Sequence, residues 1–325
     1  MHSVSNLKTA FEDFLGQFPV RNSPQSLYEP VEYTIMQPGK RVRPLMLLLS
    51  YTLYREDYSR VLPAALALEY FHNFTLIHDD IMDAAQLRRG KKSVHAKYGT
   101  NPAILAGDLM LIRSFDLLLS ACAGQNVYKV IGEFSDTAVQ ICEGQQMDMD
   151  FENRDNVTVN DYLLMVEKKT AVLLGCAMHI GASLADASPS DTETLNDIGI
   201  NLGKAFQIQD DVLDAYGDEE LVGKRRGGDI LQKKKSILYA LAWESSTAVG
   251  RTSLSELYNK DAANPEVKIQ QVLNLFDKLN VKERADNLGR HFFQNAMESL
   301  DQLGISNEPM VVLRDFIHGL VSRSS

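Results

Sequence analysis

Two clusters of aspartate, each inside a predicted helix, are the residues of this sequence best suited to chemistry. The first lies in the segment LIHDDIMD and comprises Asp79, Asp80 and Asp83. The second lies in the segment FQIQDDVLD and comprises Asp210, Asp211 and Asp214. Carboxylates one helical turn apart repel each other and destabilise the helix unless a cation offsets them. The sequence therefore predicts that cations bind at both clusters.

The spacing within each cluster indicates a magnesium site. Residues four apart on a helix differ by about 40° around its axis, so Asp79 and Asp83 point the same way. Asp210 and Asp214 form a matching pair. Mg²⁺ prefers hard oxygen ligands and commonly takes one or two carboxylates together with substrate phosphates and water. Two such helices facing each other would hold a diphosphate through bridging metal ions.

A solvated acidic face is the commonest reason for a single cluster of this kind. Here the cluster occurs twice, and both copies lie in strongly apolar helices, where unpaired buried charge is expensive. Duplication therefore favours a functional interpretation. A helical scaffold with acidic stripes stays open as an alternative, and it predicts no diphosphate-dependent stabilisation by Mg²⁺.

Clustered basic residues supply the opposite charge. The segment GKRVRP places Lys40, Arg41 and Arg43 at the start of a predicted helix, where backbone N–H groups also favour anions. Further basic residues lie in four short segments and comprise Arg88, Arg89, Lys168, Lys169, Lys224, Arg225, Arg226, Lys233, Lys234 and Lys235. Each group alone is typical of a solvated surface. Together, in an otherwise acidic chain, they indicate two polyanionic substrates.

Composition excludes several other classes of protein. The chain has 325 residues, 45% of them hydrophobic, and a formal net charge of -10. This acidity argues against a nucleic-acid partner, because such domains usually carry a dominant basic face. Three widely spaced cysteines suggest neither a disulfide framework nor a zinc site, which fits a reducing cytoplasm. Because no apolar run approaches ~20 residues, no membrane span is expected.

Apolar residues recur at helical spacing almost throughout, and strand signals are nearly absent. The pattern predicts an all-α protein forming one large domain over residues 1–325. The predicted helices are 5–17, 29–36, 42–54, 60–84, 101–122, 126–152, 159–184, 191–217, 229–246, 265–278, 281–303 and 308–322.

The motifs LIHDDIMDAAQLRRG, FQIQDDVLD and GKRVRP resemble those of the trans-isoprenyl diphosphate synthases, in that family's order between about residues 39 and 236. The resemblance implies a helical bundle around a deep central cavity, usually a homodimer. It also implies condensation of isopentenyl diphosphate with allylic diphosphates, using three Mg²⁺ ions.

The resemblance also assigns roles to individual residues. Asp79 and Asp83 would hold two metal ions and Asp210 the third, with support from Asp80, Asp211 and Asp214. The diphosphate of isopentenyl diphosphate would be bound by Lys40, Arg43, His72 and Arg89. The allylic diphosphate would be bound by Arg88, Lys169, Lys224 and Lys234. The developing cation would be faced by Thr170 and Gln207. Another family element, in a supporting role, would comprise Gln145 and Asp148.

Two departures from the family pattern concern phosphate binding and product length. Pro38 stands where the family commonly has glycine, so one possible N–H contact to phosphate is lost. The first motif also lacks the two-residue insertion typical of bacterial farnesyl diphosphate synthases. Chain-length control would lie upstream of Asp79, at Phe71, Phe74 and Thr75. An aromatic residue at position 74 resembles synthases of twenty-carbon geranylgeranyl diphosphate, with farnesyl or longer diphosphates as the alternative.

Two other functions share parts of this pattern. A terpene cyclase has the first motif, but it would normally carry an Asn/Ser/Glu metal motif as its second and would not need GKRVRP. A non-catalytic partner subunit of a synthase tends to lose motif aspartates, and none is missing here. Both observations favour an active synthase.

Overall fold

The computed structural model describes residues 3–20, 22–122, 126–217, 226–260, 264–306 and 308–322, apart from the side chains of 321 and 322. Within these ranges the protein is almost entirely helical, which confirms the predicted all-α class. None of the helices so described is long and apolar enough to cross a membrane.

The first part of the chain contains α1 (Val4–Gln17), α2 (Gln25–Ile35), α3 (Val42–Thr52), a 3₁₀ turn (Tyr58–Val61), α4 (Leu62–Met82), α5 (Val94–Tyr98), α6 (Thr100–Cys122) and α7 (Val127–Phe151). Two short antiparallel strands, β1 (Leu87–Arg88) and β2 (Lys91–Lys92), form a hairpin after α4. Arg89 and Gly90 both adopt positive φ at its turn, as tight two-residue hairpin turns require. The charged segment RRGKK by itself predicts only a break in the helix here.

The remaining elements are α8 (Val159–Val166), a π-helical turn (Glu167–Ala171), α9 (Val172–Leu184), α10 (Pro189–Tyr216), α11 (Gly228–Leu231), α12 (Ile237–Ser245), α13 (Ala248–Asn259), α14 (Pro265–Lys278), α15 (Val281–Gln302) and α16 (Glu308–Ser322). The predicted helix 229–246 was wrong, because the chain leaves the helix between α11 and α12. Helix α13 was missed, since its many Gly, Ser and Thr residues are typical of loops.

The chain divides into two compact units. The first comprises Met1–Phe134, Cys176–Glu193 and Ile305–Phe316. The second comprises Ser135–Gly175, Thr194–Gly304 and Ile317–Ser325. The single domain over residues 1–325 stays a prediction.

In the first unit, a buried arginine ties the start of α3 to its neighbours. The Arg41 guanidinium donates to the carboxylates of Glu69 at 2.6 Å and Glu12 at 3.0 Å. It also donates to the carbonyls of Ile35 at 3.2 Å and Gln37 at 2.9 Å. Burial lowers the pKa of Arg41, but the two carboxylates outweigh it, so the pKa is raised overall. Arg41 therefore holds the chain between α2 and α3 in place.

In the second unit, the apolar core is centred on α12. Its residues Ile237 to Ala242 are all buried and pack with residues of α8, α13, α14 and α15. This explains why α12 is apolar on every face: it is enclosed by other helices of the unit.

His179 in α9 is buried without a hydrogen-bond partner for either ring nitrogen among the described residues. Burial, assisted by nearby Lys129, lowers its pKa from 6.5 to about 4, although a Glu133 oxygen lies 3.7 Å away. The unfolded chain therefore binds a proton more tightly than the folded chain between these pH values.

We expect the folded protein to lose stability as the pH falls from 7 to 5, with roughly 1–2 kcal/mol of this loss due to His179. Urea unfolding of His179→Leu should show a correspondingly smaller decrease over this pH interval. The exposed His291→Leu is the control and should retain the wild-type decrease. An identical pH dependence in wild type and His179→Leu would contradict the assignment.

Candidate active site

The first aspartate cluster lies at the end of α4, where its three carboxylates have different surroundings. Asp79 is partly buried, Asp80 is buried and Asp83 is exposed at the C-cap. The Asp80 carboxylate accepts two hydrogen bonds from the Arg88 guanidinium, at 3.0 Å and 2.5 Å. The hairpin after α4 thus returns Arg88 to the aspartate cluster, where it offsets the buried charge of Asp80.

A cavity in the first unit adjoins this ion pair. Its polar lining includes Asp80, Arg88, Arg89 and Lys92. Arg89 also reaches the segment before α3, donating to the Pro38 carbonyl at 3.4 Å. Several cationic groups therefore lie at one place, which suits a polyanionic ligand.

The pKa values of Arg43 and His72 are both lowered by burial. The Arg43 Nε is buried without a hydrogen-bond partner among the described residues, and burial lowers the pKa of Arg43 to about 10. Burial, reinforced by the charges of Arg43 and Arg89, lowers the pKa of His72 well below 6.5. His72 is therefore neutral at neutral pH. Lys40, three residues before Arg43 in the sequence, is exposed.

In the second cluster, Asp210 is exposed while Asp211 is buried. The Asp211 carboxylate accepts hydrogen bonds from the Tyr162 hydroxyl at 2.8 Å, the Gln207 amide at 3.0 Å and the backbone N–H of Ile237 at 3.0 Å. Burial raises the pKa of Asp211 to about 6, and these three donors oppose that rise. Asp211 thereby joins α8, α10 and the start of α12.

Asp214, the last residue of the second cluster, accepts hydrogen bonds from the start of α11. Its carboxylate accepts the Asp229 N–H at 3.0 Å, and its carbonyl accepts the Gly227 N–H at 2.7 Å. Gly227 adopts a φ of 74°, which favours glycine. Asp214 therefore holds the start of α11 against α10.

A cavity in the second unit brings together five predicted site residues and the supporting residue Asp148. Its lining includes Asp148, Lys169, Thr170, Gln207, Asp211 and Lys234. Tyr162, Asp229, Lys235 and Ser236 also line it. Three lysine residues and an amide at one cavity suit an anionic ligand.

The orientation of the Gln207 amide follows from its partners. Its Nε2 donates to Asp211, so its Oε1 is left as an acceptor on the other side. The Thr170 hydroxyl lies 3.5 Å from that oxygen. An amide oxygen directed by a buried carboxylate supplies partial negative charge beside the cavity.

Lys169 is held by an unusual backbone. It lies in the π-helical turn Glu167–Ala171, a feature found frequently at functional sites. Its ammonium donates to Asp148 at 2.5 Å. On α7, a Cβ at Gly144 would lie only 2.3 Å from the Lys169 backbone nitrogen. Only glycine at position 144 therefore permits this close approach.

The predicted chain-length residues belong to an aromatic cluster in the first unit. Phe71 is buried and packs edge-on against Phe74 at 5.4 Å and Phe134 at 5.0 Å between ring centroids. Phe115 contacts Phe134 at the other end of the cluster, also at 5.0 Å. The Thr75 hydroxyl donates to a backbone carbonyl of its own helix. Phe74 is only partly buried, unlike Phe71.

Sequence reasoning missed several residues of these cavities. Tyr162, Asp229 and Lys92 carry no local motif, because only the fold brings them to the site. Lys224 lies outside the described residues. Gln145 lies partly buried on α7. Among the residues described, no three of the Asp, Glu, His or Cys type form a group that could hold a metal ion by themselves.

Comparison with known proteins gives consistent findings. The sequence model of the polyprenyl synthetase family matches residues 24–276. The chain is 38% identical over 312 residues to a geranylgeranyl diphosphate synthase of Methanosarcina mazei, covering 95% of this chain and 93% of that protein. It is 36% identical over 325 residues to a geranylfarnesyl diphosphate synthase of Natronomonas pharaonis, with coverages of 95% and 93%. A crystal structure of a geranylgeranyl pyrophosphate synthase superposes with a TM-score of 0.94 at 40% identity over both whole chains.

The close approach at Gly144 predicts an effect of Gly144→Ala. The added methyl must displace the Lys169 backbone, so we expect the free energy of unfolding to fall by about 1–3 kcal/mol. Lys169 should also shift relative to the other residues that line the cavity. Gly132→Ala on the same helix is the matched control, because a Cβ there meets nothing within 4 Å. That substitution should stabilise the helix by about 0.5–1 kcal/mol. The unfolding temperatures of both variants are the measurement. Equal changes in Gly144→Ala and Gly132→Ala would contradict the close packing at Gly144.

Proposed function

The chain belongs to the polyprenyl synthetase family, and on that premise we propose that it condenses isopentenyl diphosphate with allylic diphosphates head-to-tail. It is a trans-isoprenyl diphosphate synthase, a prenyltransferase. The observation that carries the proposal is the family match over residues 24–276, which includes every predicted site residue from Lys40 to Lys234.

The exposed or partly exposed carboxylates fit the family's general dependence on Mg²⁺. Asp79, Asp83 and Asp210 offer only hard oxygen ligands, which this ion prefers. We propose that Asp79 and Asp83 hold two ions and Asp210 a third. Because Asp80 and Asp211 already accept hydrogen bonds from neighbouring groups, they support the clusters, as Asp214 does through α11. When bound, the ions neutralise the leaving diphosphate.

Binding of the two substrates is assigned to the basic groups. In the first unit, Lys40, Arg43 and Arg89 bind the diphosphate of isopentenyl diphosphate, with neutral His72 as a hydrogen-bonding partner. The pKa of Arg43, which burial lowers to about 10, supports this, since a bound anion would offset the cost of burying its charge. In the second unit, Lys169 and Lys234 line one cavity and bind the allylic diphosphate. Arg88 and Lys224 are assigned to the same diphosphate.

The chemical step follows from this placement of charge. Cations that bind the leaving diphosphate more strongly as its negative charge develops lower the barrier to breaking the allylic carbon–oxygen bond. The Gln207 amide oxygen, directed by Asp211, and the Thr170 hydroxyl stabilise the resulting carbocation. The double bond of isopentenyl diphosphate attacks the cation, and a proton passes to the departing pyrophosphate. No covalent enzyme intermediate is required.

We propose geranylgeranyl diphosphate as the product. Two of the similar proteins reported above are named for twenty-carbon synthases, which supports this length. The partly buried Phe74, with Phe71 behind it, provides a bulky aromatic stop upstream of Asp79. A longer product is the alternative, because a relative of nearly equal similarity is named a geranylfarnesyl diphosphate synthase.

We further propose that the protein is a homodimer whose interface includes α6. Leu105, Ile112 and Leu119 lie seven residues apart on that helix and are 57%, 60% and 48% exposed. Residues at this spacing share one face of a helix and form an apolar stripe. Exposed apolar stripes mark interaction sites, and two-fold homodimers are the commonest soluble oligomers.

The metal assignment predicts that Asp79→Ala and Asp210→Ala each lose measurable turnover, a reduction of roughly 10²-fold or more. Incorporation of labelled isopentenyl diphosphate with Mg²⁺ measures this, and unchanged unfolding temperatures show that the fold is intact. Asp136→Ala, at an exposed aspartate outside both clusters, is the control and should stay active. Near-normal turnover in either cluster variant would refute the assignment.

The aromatic stop predicts that Phe74→Ala lengthens the product by at least one five-carbon unit, because truncation removes the bulk that halts elongation. Phe115→Ala is the matched control: it removes a partly buried ring from the same aromatic cluster but not from α4. Its product should be unchanged. Chromatography of both products is the measurement, and an unaltered product from Phe74→Ala would place the stop elsewhere.

The dimer proposal predicts that Ile112→Glu converts the protein from two chains to one, because a charge in the apolar stripe cannot be buried without a partner. Val311→Glu is the control, since it adds the same charge at a valine on α16 that is 57% exposed. Light scattering coupled to size-exclusion chromatography gives the masses. A one-chain mass for the wild type would exclude the homodimer.

A further inference from the structure

The segment between α11 and α12 places Lys234 at the cavity of the second unit. The helix ends at Leu231, and Lys233 adopts a φ of 60°, in the left-handed region. This turn is what lets Lys234 and Ser236 line the cavity while Ile237 donates its N–H to Asp211. The sequence alone predicts a continuous helix here, so something outside the segment must hold it in this conformation.

Lys235 is the first part of that support. Its side chain is buried, with Nζ 4.4 Å from the Tyr239 ring centroid and 5.2 Å from the Tyr258 ring centroid. The same Nζ lies 3.3 Å from the Asn259 Oδ1 and 3.7 Å from the Asp155 Oδ1. An ammonium held between two aromatic faces and two side-chain oxygens is compensated for its loss of water.

Tyr258 is the second part. Its fully buried hydroxyl donates to the backbone carbonyl of Lys234 at 2.7 Å. Its own carbonyl accepts from the buried Lys268 ammonium, also at 2.7 Å. Tyr258 lies near the end of α13 and is thereby fixed at both its backbone and its ring. A rigid donor thus fixes the residue that carries the cavity ammonium.

We propose that Tyr258 and Lys235 are positioning residues for the allylic diphosphate subsite, holding Lys234 at the cavity and the Ile237 N–H at Asp211. This rests on the proposed function of Lys234. Each acts through the 232–237 segment, because Tyr258 is not among the lining residues of the cavity and the Lys235 side chain is 0% exposed. Lys234 and Lys235 both line the cavity, but the ammonium of the fully buried Lys235 side chain contacts Tyr239, Tyr258 and Asn259, so it anchors the segment.

The Lys235 ammonium is buried, so its polar partners matter more than they would in water. Burial lowers the pKa of Lys235, and the nearby Asp155 opposes this shift. The Asp155 carboxylate is itself fixed by the Ser255 hydroxyl at 2.7 Å and the Asn259 amide at 2.8 Å. Removing Asp155 or Asn259 would therefore take a partner from the buried Lys235 ammonium, which costs more than the bond itself.

The test uses the pair Tyr258→Phe and Tyr239→Phe. Both variants keep the aromatic ring beside Lys235 and lose one hydroxyl bond, of 2.7 Å and 2.9 Å respectively. The Tyr258 bond ends on Lys234, whereas the Tyr239 bond ends on the Asp155 carbonyl, outside the segment. We expect Tyr258→Phe to raise KM for the allylic diphosphate about tenfold, as for loss of one buried hydrogen bond, and Tyr239→Phe to leave it near the wild-type value.

The split between kinetic constants separates positioning from general damage. KM for isopentenyl diphosphate should stay unchanged in Tyr258→Phe, because that substrate is assigned to the first unit. Lys235→Met, which keeps the stem but removes the charge, should raise the allylic KM in the same way and serves if Tyr258→Phe fails to fold. Equal allylic KM values in Tyr258→Phe, Lys235→Met and wild type would overturn the proposal.

Hydrogen exchange provides a measurement that does not depend on turnover. Amides of residues 234, 236 and 237 donate within or from the segment, so a peptide covering 232–238 should exchange faster in Tyr258→Phe than in Tyr239→Phe. Faster exchange with an inactive wild type would refute the proposed function while supporting the anchor. Equal exchange in the two variants with an active wild type would refute the anchor alone.

Discussion

Buried charge is the constraint on which both units of this protein depend. Arg41 in the first unit and Asp211 in the second are each removed from water, and each is stable only because it is surrounded by partners. Arg41 binds two carboxylates and two carbonyls, which fixes the loop before α3. Asp211 accepts three hydrogen bonds from three different elements. Each buried ion therefore fixes the positions of the backbone and side chains around it.

The groups proposed to carry the chemistry lie next to these two buried ions in sequence. Arg43 lies two residues after Arg41, and its buried Nε has no hydrogen-bond partner within the part of the chain that the structure describes. Asp210 precedes Asp211 and is exposed, so its carboxylate is accessible from solvent. Through Gln207, Asp211 also sets the direction of an amide oxygen at the cavity that contains Lys169 and Lys234. A rigid interior thus supports the cationic side chains proposed to bind diphosphates and the carboxylates proposed to hold Mg²⁺.

Much of this arrangement could be predicted from the sequence, and the failures have physical causes. Helices α14 and α16 were predicted to the residue, because Pro265 and Glu308 each stand at a helix start after turn-forming residues. Which of two adjacent aspartates is buried was not predictable, since neighbours differ by about 100° around a helix and only the fold chooses the inner face. The break before Ser236 depends on Tyr258, which is 24 residues from Lys234 in sequence. The π-helical turn at Lys169 likewise depends on the close approach of Gly144 from another helix.

The central claim is that the protein elongates allylic diphosphates with isopentenyl diphosphate in the presence of Mg²⁺. The most direct measurement is chromatography of the products after incubation of the wild-type protein with labelled isopentenyl diphosphate and, separately, dimethylallyl, geranyl or farnesyl diphosphate. The account predicts a twenty-carbon diphosphate from each starter and no product after the metal is chelated. Absence of any Mg²⁺-dependent product from all three starters would contradict it.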